Sequence, residues 1–171
     1  MKLSRIFLIF FLSFIILGCA GRRAAALQET PAPRDAITQQ EIPAASGDLE
    51  GSEWKLSEIR SGGTSIVLNR QRLEAQGFSG VFTIHFEDGR ISGMGAPNRF
   101  FGPYTKGENQ ALSIGMLGST MMAAFMEPEE LTEHEYFSLL SDVSRWTVRD
   151  GKLELFTKNS GGAEVVLVFR M

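Results

Sequence analysis

From residue 51 onward, apolar and polar positions alternate over short stretches that end in Gly, Asn or Asp, the pattern of antiparallel strands joined by tight turns. Trp54 and Leu56 share one face of a first strand, and residues 65–68 add a short extended piece. Asn69 then caps a brief helix that runs through Leu73 and stops near Gly77. The clearest strand follows: Phe82, Ile84 and Phe86 point one way, Thr83 and His85 the other. Asp88 and Gly89 give a hairpin signal, residues 90–93 return antiparallel, and residues 112–114 form a further strand. Between Thr132 and Val143 the period becomes helical, with Tyr136, Leu139, Leu140 and Val143 on one stripe. Thr132 and Glu135 have capping-box spacing, and Pro128 with Glu127, Glu129 and Glu130 suits an extended helix start. Trp146 and Val148 pair with Leu153 and Leu155 across an Asp150, Gly151 turn. Residues 165–169, apolar on both faces, predict a central strand. The expected architecture is a single α+β domain over residues 50–171, a curved antiparallel sheet wrapped around one main helix.

The first fifty residues have a different texture. Lys2 and Arg5 precede an apolar run over residues 6–17, broken only by Ser13, that closes on Gly18 and Cys19. This order of charge, apolar run and small residue predicts a secretory leader over residues 1–18. As a helix the run reaches only about 18 Å, against a bilayer core of about 30 Å, so it is too short to be a membrane span. Its ending resembles the lipobox of bacterial lipoproteins. That resemblance implies lipidation of Cys19, cleavage before it and acylation of its new amine, with the membrane as the partner that holds the protein. Ala20 stands where an aspartate retains many lipoproteins in the inner membrane, so the expected location is the outer membrane, facing the periplasm. Residues 19–49, with many Ala, Gln and Glu and with Pro31, Pro33 and Pro43, predict a flexible tether.

Charge narrows the class of partner. The chain has 17 Lys and Arg, two of them in the leader, against 20 Asp and Glu, and its only basic run is Arg22 and Arg23. No basic face for nucleic acid is expected. Those two arginines sit where anionic headgroups attract them, or else are solvated linker charges. Cys19 is the only cysteine, so it has no partner for an intrachain disulfide.

Catalytic equipment is sparse. His85 falls on the outward face of a strand, and His134 with Glu135 begins a zinc-protease pattern that fails because Ser138 holds the place of the second histidine. No G-x-S-x-G elbow occurs. Glu127, Glu129, Glu130, Glu133 and Glu135 are the acids of a helix N-terminus with a solvated face. No catalytic residue, metal site or cofactor is therefore assigned.

The most unusual internal stretch covers residues 93–104. Its glycines allow a bulge or tight turn, and Asn98 can bond its own backbone there. Gly102 and Pro103 are expected to bend the chain so that Tyr104 begins a new strand. The plain reading is a structural corner locked by Asn98 and Tyr104; the functional one is a ligand-facing loop. Met116, Met121, Met122 and Met126, with Leu117, Phe125 and neighbouring Phe100 and Phe101, either fill core gaps or form an adaptable apolar surface.

With Trp54 and Leu56 at the start, Gly93, Asn98, Phe100, Gly102 and Tyr104 in the middle, and Thr120, Met122 and Ala123 next, the sequence resembles the META domain family. Leu139, Leu140, Leu153 and Leu155 complete the resemblance, and the family includes HslJ-type heat-inducible bacterial lipoproteins. The resemblance implies a small α+β domain with an envelope or stress role and no established catalysis. Many members carry a cysteine pair where this chain has Ala96 with Pro97 and Ala124, so any bridge of that kind is missing here. The expected function is a lipid-anchored, non-catalytic envelope protein that binds or assists an envelope partner. The alternative is a carrier of a small apolar ligand in a cavity of the curved sheet.

Overall fold

The computed structural model describes residues 47–123, Pro128 and residues 131–171. The leader, Cys19 and Ala124, Phe125, Met126, Glu127, Glu129 and Glu130 lie outside the described residues. The first half runs β1 (Glu53–Ser61), β2 (Thr64–Val67), α1 (Arg70–Ala75), β3 (Thr83–Glu87), β4 (Arg90–Met94) and β5 (Arg99–Lys106). The second half runs β6 (Leu112–Ile114), β7 (Gly118–Ser119), α2 (Glu133–Ser141), β8 (Arg145–Arg149), β9 (Lys152–Lys158) and β10 (Glu164–Arg170).

The main path of the sheet is β6-β5-β4-β3-β1-β10-β9-β8, with every named pairing antiparallel; β2 adds to β1 and β7 to β5. The two ends of this path come back together. Ala111 bridges Arg145, and Leu112 N–H donates to Ser144 O at 3.1 Å, so the curved sheet is a nearly closed barrel. Closure leaves little unpaired edge along the main path. β1 lies between β3 and β10 and so ties the first and last strands of the chain together. The register shift between Leu56 and Glu58 lets β1 pair with β3 along its first half and β2 along its second.

Local chemistry explains the elements. Asn69 accepts Arg72 N–H at 2.9 Å, which satisfies one of the free donors at the start of α1, and Thr132 does the same for Glu135 N–H at 3.0 Å in α2. Asp88 and Gly89 both have positive φ, as the hairpin between β3 and β4 requires. Tyr136, Leu139 and Leu140 are buried on the face α2 turns to the sheet, and Val143, predicted on the same stripe, is buried just past the helix end at Ser141. Tyr136 packs edge-on to Phe82 at 5.2 Å and donates its hydroxyl to Thr83 O at 3.3 Å. Trp54, Phe86, Phe100 and Phe169 fill the rest of the concave interior. β10 is central, between β1 and β9, with Leu167, Val168 and Phe169 fully buried.

The N-terminal end of the described chain is already part of this core. Leu49 is fully buried, its carbonyl accepts Trp54 Nε1–H at 3.0 Å, and a side chain at Gly47 would meet Val148 at 2.6 Å.

One expectation is corrected. Gly102 and Pro103 do not bend the chain, because β5 runs unbroken from Arg99 to Lys106 with Tyr104 inside it. Pro103 is tolerated because of where its edge faces. Its carbonyl accepts Gly115 N–H at 2.8 Å, on the side where β5 changes partner from β7 to β6, so the missing N–H falls at a seam in the ladder.

Candidate binding surface

The signature segment is organised by Asn98. Its Oδ1 accepts from Thr120 Oγ1 at 2.8 Å and Met122 N–H at 2.6 Å, while its Nδ2 donates to Met122 O at 3.0 Å and Glu133 Oε1 at 2.7 Å. Glu133 Oε2 accepts the backbone N–H groups of Ala96 at 2.8 Å and Asn98 at 2.6 Å. All four hydrogen-bonding positions of the amide are used, on a residue that is itself buried. The expected bond from the Asn98 side chain to its own turn is corrected: the local link is made by the backbone, Gly95 N–H to Asn98 O at 2.7 Å, and the side chain reaches two distant segments. Glu133 is likewise not a solvated helix-start acid but the clamp that joins α2 to residues 95–98. Sequence spacing gave no sign of that role; the only pointer was a carboxylate in the first turn of a helix.

Gly93 and Gly102 are needed for close approach. A Cβ at Gly93 would lie 2.0 Å from Thr83 O and 2.8 Å from the Phe100 ring, which covers that position from inside. One at Gly102 would meet Leu117 and Met116 O, each at 2.9 Å. Phe100 is buried and edge-on to Phe137 at 5.1 Å. Tyr104 is buried edge-on to Phe86 at 5.1 Å, and its hydroxyl donates to Glu50, which also pairs with Lys106 at 2.8 Å. Burial first, and the Glu50 carboxylate second, raise the Tyr104 phenol above its ordinary range, while Lys106 and Tyr104 hold Glu50 below the usual carboxylate range. Five of the expected residues thus build a rigid corner.

The expected apolar set separates from that corner by exposure. Met116 is 92% exposed, Met121 98%, Met122 56% and Phe101 53%, values that place them on the surface and not in core gaps. Leu117 is half-buried against the core. Because Met122 is held through both its N–H and its carbonyl by Asn98, its exposed side chain projects from a fixed backbone. Phe101 stands on the outer face of β5 with the Arg90 guanidinium 5.9 Å from its ring centre. Phe125 lies outside the described residues.

The histidines occupy ordinary positions. His85 is half-buried, with Nδ1 at 3.1 Å from Ser52 O and Nε2 at 3.5 Å from Glu87, and His134 is exposed on α2. Among the described residues no helix is long and apolar enough to cross a membrane.

A nearly closed antiparallel barrel plugged by one helix, carrying a polar corner under an exposed Phe and Met surface, defines a small α+β domain of the kind that the signature residues suggested. The META domain family model matches residues 47–170, and the chain belongs to that family. Among solved structures, a protein from Burkholderia xenovorans determined by NMR is similar at 22% identity and a TM-score of 0.52, over 72% of this chain and 84% of that one. A DUF4847 family protein from Bacteroides vulgatus, seen by crystallography, is similar at 13% identity and a TM-score of 0.47, over 71% of this chain and 93% of that one. No curated protein matches the sequence.

Proposed function

We propose that this is a lipid-anchored bacterial envelope protein, held in the outer membrane through Cys19, whose META domain acts without catalysis by binding or assisting an envelope protein partner. The observation that carries the reading is the exposure of Met116, Met121, Met122 and Phe101 around a corner whose backbone is locked by Asn98. Large apolar side chains clustered on a surface mark contact with another molecule, and flexible thioethers adapt to its shape. The interior of the curved sheet is occupied by Trp54, Phe82, Phe86, Phe100 and Tyr136, which supports surface binding over a ligand carried inside. A role under heat stress follows from the family's heat-inducible lipoproteins and is part of the same proposal.

The test is crosslinking of the intact lipoprotein in membranes, followed by recovery and mass spectrometry. A reproducible partner is expected with the wild type and not with a Met121→Ser, Met122→Ser double variant, and Cys19 should carry fatty chains. Recovery of no consistent partner, or equal recovery with both proteins, overturns the binding role; an unmodified Cys19 overturns the anchoring.

A further inference from the structure

On the outer face of β3, β4 and β5 lies an open cleft of about 420 Å³, whose lining includes Phe101 but none of Met116, Met121 and Met122. The sheet register shows how it is made. Two cross-strand rows run side by side, Glu53–His85–Ser92–Phe101 and Thr83–Met94–Arg99. Ser92 is small and sits between the larger His85 and Phe101, so the first row dips in its middle. Phe101 then forms an aromatic wall, Met94 contributes a thioether beside the floor, and Arg99 closes the same end with a cation. The Arg99 side chain is exposed and makes no ion pair among the described residues.

The walls are fixed before any ligand arrives. Arg70 donates to Val81 O and Ser79 O, each at 2.9 Å, and Thr83 Oγ1 donates to Gly80 O at 3.1 Å, which hold the Gly80 rim. The backbone of Arg99 is tied on both sides to Thr120, whose hydroxyl accepts Arg99 N–H at 3.2 Å and whose N–H donates to Arg99 O at 3.0 Å. His85 is held by Ser52 O. A preformed site loses less ordering entropy on binding than a floppy one.

We infer that this cleft binds a small aromatic carboxylate, its ring lying over Ser92 against Phe101 and Met94 and its carboxylate on Arg99. The volume suits a small ligand. A guanidinium presents a planar fork that matches a carboxylate, and ring against ring or thioether is favourable packing. Orientation follows from charge. Glu53 lies at the opposite end, three strand spacings or about 14 Å away, beyond a Debye length of about 8 Å at physiological salt, and it is 3.8 Å from Lys55. The anion therefore belongs at β5. The cleft shares Phe101 with the proposed partner surface but none of Met116, Met121 and Met122, and the inference does not depend on that surface.

The experiment is a fluorescence titration of dansylglycine, an aromatic carboxylate, into the full lipoprotein in nanodiscs, with empty discs as the blank. Saturable binding at one site per chain is expected, about tenfold weaker in Arg99→Gln and in Phe101→Ser and unchanged in Met121→Ser. Neutral dansylamide should bind more weakly than dansylglycine. All three substituted residues are exposed, and thermal melts identify any variant that fails to fold; for the wild type, shifts in the amide resonances of Ser92, Gly93 and Phe101 locate the probe directly. Absence of saturable binding, equal binding by Arg99→Gln, equal affinity for dansylamide, or shifts confined to other strands each overturns the inference. Loss of partner capture in the methionine variant with dansylglycine binding intact separates this site from the proposed function.

Discussion

The carboxylate of Glu133, at the start of α2, accepts the backbone N–H of Asn98 at 2.6 Å while its other oxygen takes the Asn98 side-chain amide at 2.7 Å. Two residues 35 apart in sequence are thereby clamped face to face, and the Asn98 amide passes the constraint on to Thr120 and Met122. The helix, the signature loop and the methionine-bearing segment form one hydrogen-bonded unit.

Because the unit is shared, its losses should not add. Asn98→Ala is expected to cost about 3 kcal/mol and Glu133→Ala about 2 kcal/mol in urea unfolding, since each leaves the other's groups unpaired. The double variant should cost at least 1 kcal/mol less than the sum of the two. Strict additivity in the double-mutant cycle contradicts the shared network.

Gly93 sits where no side chain fits. Gly93→Ala places a methyl against Thr83 O and the Phe100 ring, so the β3–β4 ladder must part or the ring must move, at an expected cost of about 3 kcal/mol or more. Gly62→Ala has open space and meets only the penalty of a positive φ, about 1 kcal/mol. Equal melting temperatures for the two variants rule this explanation out.

Acid should weaken the fold partly through Glu58. Hydrogen bonds from Arg60, then from Ser65, lower its pKa to about 2 from an ordinary 4.5. The folded value lies below the unfolded one, so this contribution is fully present above the unfolded pKa and is lost as pH falls towards about 2. Solvent screening keeps it to at most about 1 kcal/mol. Glu58→Gln should flatten the acid limb of a plot of urea midpoint against pH, and a limb identical to the wild type's shows that Glu58 is not its source.

Alkali offers a sharper reading, because the chain has two tyrosines. Burial and Glu50 raise Tyr104, and complete burial raises Tyr136 still more clearly. Spectrophotometric titration of the folded protein should show no phenol ionising near pH 10, the ordinary value. Both phenols should appear together when the fold is lost, since a raised folded pKa withdraws stability as pH climbs past the unfolded one. A separate step near pH 10 while the fold persists overturns the placement of Tyr104 against Glu50.

What the sequence determined by itself is what short-range pattern carries. Alternation located the strands around Ile84 and Val148, a run apolar on both faces located the one around Leu167, the 3.6-residue period located the buried face of α2, and Asn69, Thr132 and the Asp88, Gly89 pair marked caps and a turn. These are local signals, because backbone hydrogen bonding and side-chain direction repeat over a few residues. The META signature was legible in the same way, as residue types at fixed spacing. Only the tertiary structure decided the rest. It brought Ala111 to Arg145 to close the barrel, Glu133 to Asn98 to lock the corner, and Arg99, Ser92 and Phe101 onto one outer face. Each of these depends on the register and curvature of strands far apart in the chain. Apolar character alone did not tell that Phe100 faces inward while Phe101 and Met121 face water; strand direction and the Asn98 bracket set that.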